Sequence, residues 1–223
     1  MYKISPERIE MKKQKWKRFH KKFERRGFSF KIACELIPVA QLRIWDMWEL
    51  FLLAREIPEA GTYLELGSKK GGSLRCVLRA SQSVNRKIKL VAIECEPISR
   101  LLKFCNENGV RLIEDYSQNC ADEIENESID MLFIDDEHIY DQVISDLHNY
   151  WPKIKVGGVV CGHDHEERFP GVSKAVYEFF GSNYEVLPHS SIFASHKEVA
   201  GIVRGDGPLL ANQVSKRVTD DFI

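Results

Sequence analysis

Apolar positions follow two different rhythms along this chain. Over residues 41–57, Ile44, Trp45, Trp48, Phe51 and Leu52 recur at helical spacing until Pro58 and Gly61 stop the pattern. Beyond them, short apolar runs alternate with amphipathic stretches at 62–66, 73–80, 89–94, 97–108, 110–113, 129–135, 140–151, 158–163, 172–180, 184–187 and 201–203. Strand and helix taking turns is the product of right-handed β-α-β units, so the expectation is an α/β fold: a mostly parallel sheet with helices on both faces. Ahead of this body, residues 6–26 are highly charged, yet Ile9, Met11, Trp16, Phe19 and Phe23 recur at spacings near three and four, which predicts a basic amphipathic helix. The expected organisation is a basic helical extension over residues 1–40 and one domain over residues 41–223.

Charge sharpens that division. The totals nearly balance at 32 Lys+Arg and 33 Asp+Glu, but residues 1–26 hold 11 basic and 3 acidic side chains. Such a head can lay Trp16, Phe19 and Phe23 on the body, or it can meet an anionic membrane surface or an acidic partner. Nucleic acid is weakly supported, since no recognition motif accompanies the basic run. Six cysteines (Cys34, Cys76, Cys95, Cys105, Cys120 and Cys161) contain no C-x-x-C pair, so spacing offers neither a zinc cluster nor a redox motif. No stretch reaches the ~20 apolar residues of a membrane span and no secretory signal opens the chain, so a cytoplasmic protein is expected. A homo-oligomer is compatible with the sequence.

In sheets of this kind ligands bind at the carboxyl ends of the strands, and polar groups concentrate there. The run Tyr63-Leu64-Glu65-Leu66 leads into Gly67-Ser68-Lys69-Lys70-Gly71-Gly72-Ser73 and a helix. Its glycines let the backbone turn tightly and approach a ligand, but the spacing is neither G-x-G-x-x-G nor a P-loop, and Glu65 beside them suits a ligand carrying an amino group. Glu94 closes the next strand where an acid accepts hydrogen bonds from ribose hydroxyls. Tyr116 and Ser117, after the third strand, are candidates for an adenine-side contact. Asp135 ends the fourth strand beside His138, and Asp164 follows the fifth between His163 and His165. If those two strands are neighbours, the two acids can share a divalent cation, with His138 as a general base. Otherwise Asp135 caps a helix and His163 and His165 are loop residues. His20, His148, His189 and His196 read as surface residues.

Taken in order, these features resemble the class I S-adenosylmethionine-dependent methyltransferases, in particular the O-methyltransferases related to macrolide-sugar and cephalosporin-cluster enzymes. The resemblance spans roughly residues 61–203. It rests on Tyr63 to Gly67 and Gly71-Gly72-Ser73, on Ile93-Glu94, on Ser128-Ile129-Asp130, and above all on Phe133-Ile134-Asp135 with His138 and Tyr140, then Asp146-Leu147, Gly157-Gly158 and Gly162-His163-Asp164. It implies a Rossmann-like fold with a seven-stranded sheet. It also implies that Glu65, Gly67, Gly71 and Ser73 face the methionine part of the cofactor and that Glu94 holds the ribose. Asp135 and Asp164 would bind Mg²⁺ or Mn²⁺, His165 would be a further ligand and His138 the base. Asp136 departs from the pattern, standing where many relatives have glycine, and Glu137 adds another acid. The implied reaction is methyl transfer to a small-molecule or sugar hydroxyl. A nucleotide-binding oxidoreductase, disfavoured by the missing G-x-G-x-x-G, and a non-catalytic cofactor-fold binding protein are the alternatives.

Overall fold

The chain is described in a computed structural model over residues 26–198, together with the isolated positions Glu10, Met11 and Glu24. Apart from those positions, the basic helix expected over residues 6–26 and the strand expected over 201–203 lie outside the described residues. Two helices come first, α1 (Phe30–Leu36) and α2 (Ile44–Ala54). They are followed by β1 (Thr62–Leu66), α3 (Gly72–Ser83), β2 (Lys89–Ile93), α4 (Ser99–Asn108), β3 (Arg111–Ile113), α5 (Ser117–Cys120) and β4 (Ile129–Ile134). The chain then runs through α6 (Tyr140–Tyr150), β5 (Ile154–Gly162), α7 (Pro170–Phe180), β6 (Glu185–Val186) and β7 (Phe193–His196).

The strands form one seven-stranded sheet in the order β3-β2-β1-β4-β5-β7-β6. The first five are mutually parallel, whereas β7 runs antiparallel between β5 and β6. The expected α/β fold is therefore observed, with one correction. The last described strand is Phe193–His196, a short run interrupted by Ser195 that carries no strong strand signal of its own.

Alternation along each strand sends its side chains to opposite faces. Tyr63, Met131, Phe133 and Cys161 join a core with α1 to α4, while Leu64, Leu66, Leu132, Ile134 and Val160 join a second core with α5 to α7. The boundary expected at residue 40 is not a break in packing. Phe28, Leu36, Ile37 and Ala40 belong to the first core, and Phe28 meets Trp48 and Phe51 edge-on at 6.0 and 5.0 Å between ring centroids. A Cβ on Gly72 would lie 2.5 Å from Ala40 Cα, so α3 starts against the preceding segment only because this residue is glycine.

Register continues past the strand ends. Gly67 N–H donates to Ile93 O (3.0 Å), Glu94 N–H to Ile113 O (3.1 Å), Asp135 N–H to Leu66 O (2.9 Å) and His163 N–H to Ile134 O (3.0 Å). These rungs bring the first residue beyond each of β1, β2, β4 and β5 into one row along the carboxyl edge of the sheet.

Candidate functional site at the carboxyl edge of the sheet

The row begins with the loop from β1 to α3. Gly67, Lys69 and Gly71 all have positive φ (81°, 45° and 72°), which folds the loop back across the strand end. A Cβ at Gly67 would sit 2.4 Å from Asp135 O, so glycine permits the ends of β1 and β4 to touch. Glu94 closes this loop from the side: its carboxylate accepts from Lys69 N–H (2.7 Å) and Glu96 N–H (3.1 Å). An acid at the end of β2 is thus coupled to the glycine loop of β1.

Glu65 is placed differently from its expected role. It is fully buried, accepting from the Tyr63 hydroxyl (2.6 Å) and the Ser73 hydroxyl (2.7 Å). Burial raises its pKa to about 7, against the two hydroxyl donors that favour the carboxylate. Its strand parity carries it, with Tyr63, into the core under α3, so Glu65 and Ser73 brace the loop from beneath and present no free face to a ligand.

Tyr116 is 60% exposed at the rim, while its neighbour Ser117 is buried. The Ser117 hydroxyl accepts from Gln142 Nε2 (2.8 Å) and donates to Asp136 Oδ2 (3.2 Å), and its carbonyl accepts from the Tyr150 hydroxyl (2.7 Å). Gln142 also donates to Asp146 Oδ2 (3.1 Å). Burial pushes both Asp136 and Asp146 upward; the Asp136 charge raises Asp146 further, while a hydrogen bond with Asp146 works against the rise at Asp136, so the pair retains a proton where isolated carboxyls have lost theirs. The additional acid at position 136 is therefore accommodated by sharing a proton with α6 rather than by adding a charge to the open edge.

Asp135, His138 and Asp164 are brought together. One ligand atom from each lies within 4.8 Å of the others, a grouping that suits a metal ion. His138 Nε2 is 2.5 Å from Asp164 Oδ2, and its ring stacks on Phe169 at 4.5 Å. Asp164 itself adopts the left-handed conformation (φ 60°), a conformation that costs a non-glycine residue energy and concentrates at functional sites. Although burial opposes it, hydrogen bonding to His138 and His163 holds Asp164 well below the usual carboxylate range. Asp135 is pushed up by burial, with His163 working in the opposite direction. His138 is raised, chiefly by its bond to Asp164.

His165 does not join this group. The left-handed turn at Asp164 swings it to the far side, where its backbone N–H donates to Ser191 O (2.9 Å) and Nε2 sits 3.2 Å from the Tyr184 hydroxyl. His163 takes the inward place instead. Its Nδ1 lies 3.1 Å from Asp164 Oδ1 and 3.4 Å from Asp135 Oδ1, while Nε2 lies 3.3 Å from Asp46 Oδ2. Asp46, on α2, is fully buried and accepts from Arg43 N–H, Arg43 Nε and Ser191 N–H, each at 2.9 Å. Burial works against charging His163, yet Asp135, Asp164 and Asp46 together lift it to about 12. Neither His163 nor Asp46 was singled out from the sequence. His163 lies inside Gly162-His163-Asp164 with no role of its own, and Asp46 has the local signature of a first-turn acid that accepts from the backbone of the N-cap, Arg43, as it also does.

Similarity to known proteins falls on this same region. Residues 64–165 match the family described as "Methyltransferase domain". The uncharacterized protein R132 of Acanthamoeba polyphaga mimivirus is 30% identical over 144 residues, covering 55% of this chain and 62% of that protein. The chain spans less than two thirds of the length of the curated relatives it matches. A crystal structure of a protein from Corynebacterium glutamicum has a TM-score of 0.57 at 13% identity, with 89% of this chain and 93% of that one covered. CalS11, a TDP-rhamnose 3'-O-methyltransferase of calicheamicin biosynthesis, has a TM-score of 0.55 at 15% identity, with 88% and 96% covered. At such identities the likeness is one of fold. Residues 64–165 are thus similar to the methyltransferase-domain family, and the chain shares its fold with CalS11 and with the Corynebacterium protein.

Proposed function

We propose that this chain transfers the methyl group of S-adenosylmethionine to a hydroxyl of a small molecule or sugar, assisted by a divalent cation such as Mg²⁺ or Mn²⁺. The observation that carries this reading is the convergence of Asp135, His138 and Asp164 beside the glycine loop and Glu94, on one edge of a sheet with the matching topology. The residues present fit both groups. Left-handed glycines lead into the N-terminus of α3, an acid ends the adjacent strand, and the carboxylates of Asp135 and Asp164 are donors for a hard cation, with His138 beside them. When bound, the cofactor supplies an electrophilic methyl group and the cation lowers the pKa of the acceptor hydroxyl.

The chain's own residues supply position and a proton acceptor. Displacement at a sulfonium needs alignment more than covalent help, and the rigid row of strand ends provides it. Glu94 orients the ribose through its carboxylate. His138, half-exposed and held between Asp164 and Phe169, takes the acceptor's proton at Nε2; its raised proton affinity suits an alcohol donor. Ile98, Tyr116 and Ile139 are exposed apolar side chains following β2, β3 and β4, and they offer the acceptor a non-polar rim.

Calorimetric titration of S-adenosylmethionine and S-adenosylhomocysteine, with and without Mg²⁺, tests the reading. Wild type is expected to bind both, and Glu94→Ala to weaken binding by about tenfold or more, the worth of hydrogen bonds to a charged group. Folded wild type that binds neither ligand would overturn the proposal.

A further inference from the structure

Two histidines face the same pair of carboxylates, and they differ in surroundings. His138 has a side chain 39% exposed and pairs closely with Asp164, Asp135 lying within 4.8 Å, whereas His163 has a side chain 12% exposed and brings Nδ1 to 3.1 Å from Asp164 and 3.4 Å from Asp135. The other nitrogen of His163 lies 3.3 Å from Asp46 Oδ2 without hydrogen-bond geometry; Asp46 is a carboxylate on α2 that Arg43 and Ser191 hold in place. A histidine with one nitrogen toward two acids and the other against a fixed buried carboxylate has the arrangement of a metal ligand oriented by its outer partner.

Resting on the metal-assisted reading above, we infer that His163 Nδ1, and not His138 or His165, is the nitrogen donor that completes the cation site with Asp135 and Asp164, and that Asp46 is its positioning residue. His138 then remains outside the ligand set, free to act as the base. A cation at Nδ1 would displace the proton that the two acids favour there and leave the ring's other proton on Nε2, 3.3 Å from Asp46 Oδ2. An imidazole in the set moves the preference away from Mg²⁺, which favours all-oxygen coordination, toward Mn²⁺ and Co²⁺. Asp46 also ties the site to the N-terminal part of the fold. Its cap to Arg43 and the Arg43–Glu166 pair (3.1 Å) bridge α2 to the loop following Asp164.

The test uses Mn²⁺ and Mg²⁺ titrations of the full-length chain and pulsed electron paramagnetic resonance of bound Mn²⁺, which reports a directly coordinated nitrogen. Wild type is expected to bind Mn²⁺ at least tenfold tighter than Mg²⁺ and to show one coordinated nitrogen. His138→Gln keeps that signal; because His138 is half-exposed, this variant decides the matter even if the buried ones fold poorly. His163→Asn loses the nitrogen signal, and Asp46→Asn weakens Mn²⁺ by ~10–100-fold. Loss of the signal in His138→Gln, or its persistence in folded His163→Asn, would overturn the assignment while leaving the metal reading intact. Absence of Mn²⁺ binding by folded wild type would overturn both, and the cofactor titration, read independently, would show whether methyl transfer survives without metal.

Discussion

The two ends of β4 carry acids of opposite character. At the amino end, Asp130 Oδ2 accepts from Thr62 N–H (2.7 Å) and from Lys155 Nζ (2.6 Å), ties to a neighbouring backbone and to a lysine of β5. At the carboxyl end, Asp135 faces an imidazole and the acid of the next strand, with no backbone donor to its side chain among the described residues. Asp130, answered by a main-chain donor of β1 and a lysine of β5, ties three strands together, while Asp135, beside an imidazole and a second acid, stands where a ligand can reach it. The difference shows why the edge, more than the residue type, separates structural from functional carboxylates in a parallel sheet.

Substitutions at each end should separate function from stability in opposite senses. The largest effect is expected at the carboxyl edge: His138→Ala should lower turnover by ~10²–10⁴-fold with little change in cofactor affinity or melting temperature. Steady-state kinetics beside a cofactor titration checks this, and equal weakening of both would remove His138 from the proton-transfer role.

Glu65 sharpens the comparison, because it sits near the functional edge yet is sealed. Its pKa of about 7 in the folded chain, against a usual 4.5, means the folded state keeps a proton that the unfolded state has released. Stability from this group is therefore fully present below pH 4.5 and is lost as pH rises toward 7, an effect on the order of 3 kcal/mol. Glu65→Gln should flatten that part of the curve of melting temperature against pH; an unchanged slope would show that another group carries it.

Asp130→Ala should be the mirror of His138→Ala. Leaving Thr62 N–H and Lys155 without their acceptor costs about 1–3 kcal/mol, read by denaturant unfolding, with cofactor affinity unchanged. A loss of cofactor binding without a loss of stability would break the contrast between the two ends.

Much of this fold was legible in the chain because β1, β2, β4 and the second half of β5 each bury a mostly apolar run and α3, α4, α6 and α7 each bury an amphipathic face, signals that survive in a single sequence. The row Glu94, Asp135 and Asp164 was legible for the same reason, since each acid directly or closely follows such a run. β7 was not: its four residues include Ser195 and His196, and its place between β5 and β6 comes from antiparallel pairing with β5. Nor was the choice of His163 over His165. They are two residues apart, and only the left-handed turn at Asp164 sends one inward and the other to Tyr184.

By itself the sequence determined the alternation of strand and helix, the acids that follow the strands, and the glycines where the backbone must turn or approach closely, because these depend on local periodicity and on the conformations each residue allows. Tertiary structure decided which of those acids meet. It sealed Glu65 under α3, paired Asp136 with Asp146, and brought Asp46 from α2 to His163 beyond β5. Those outcomes depend on strand order, side-chain parity and contacts between residues far apart in the chain, which local pattern does not encode.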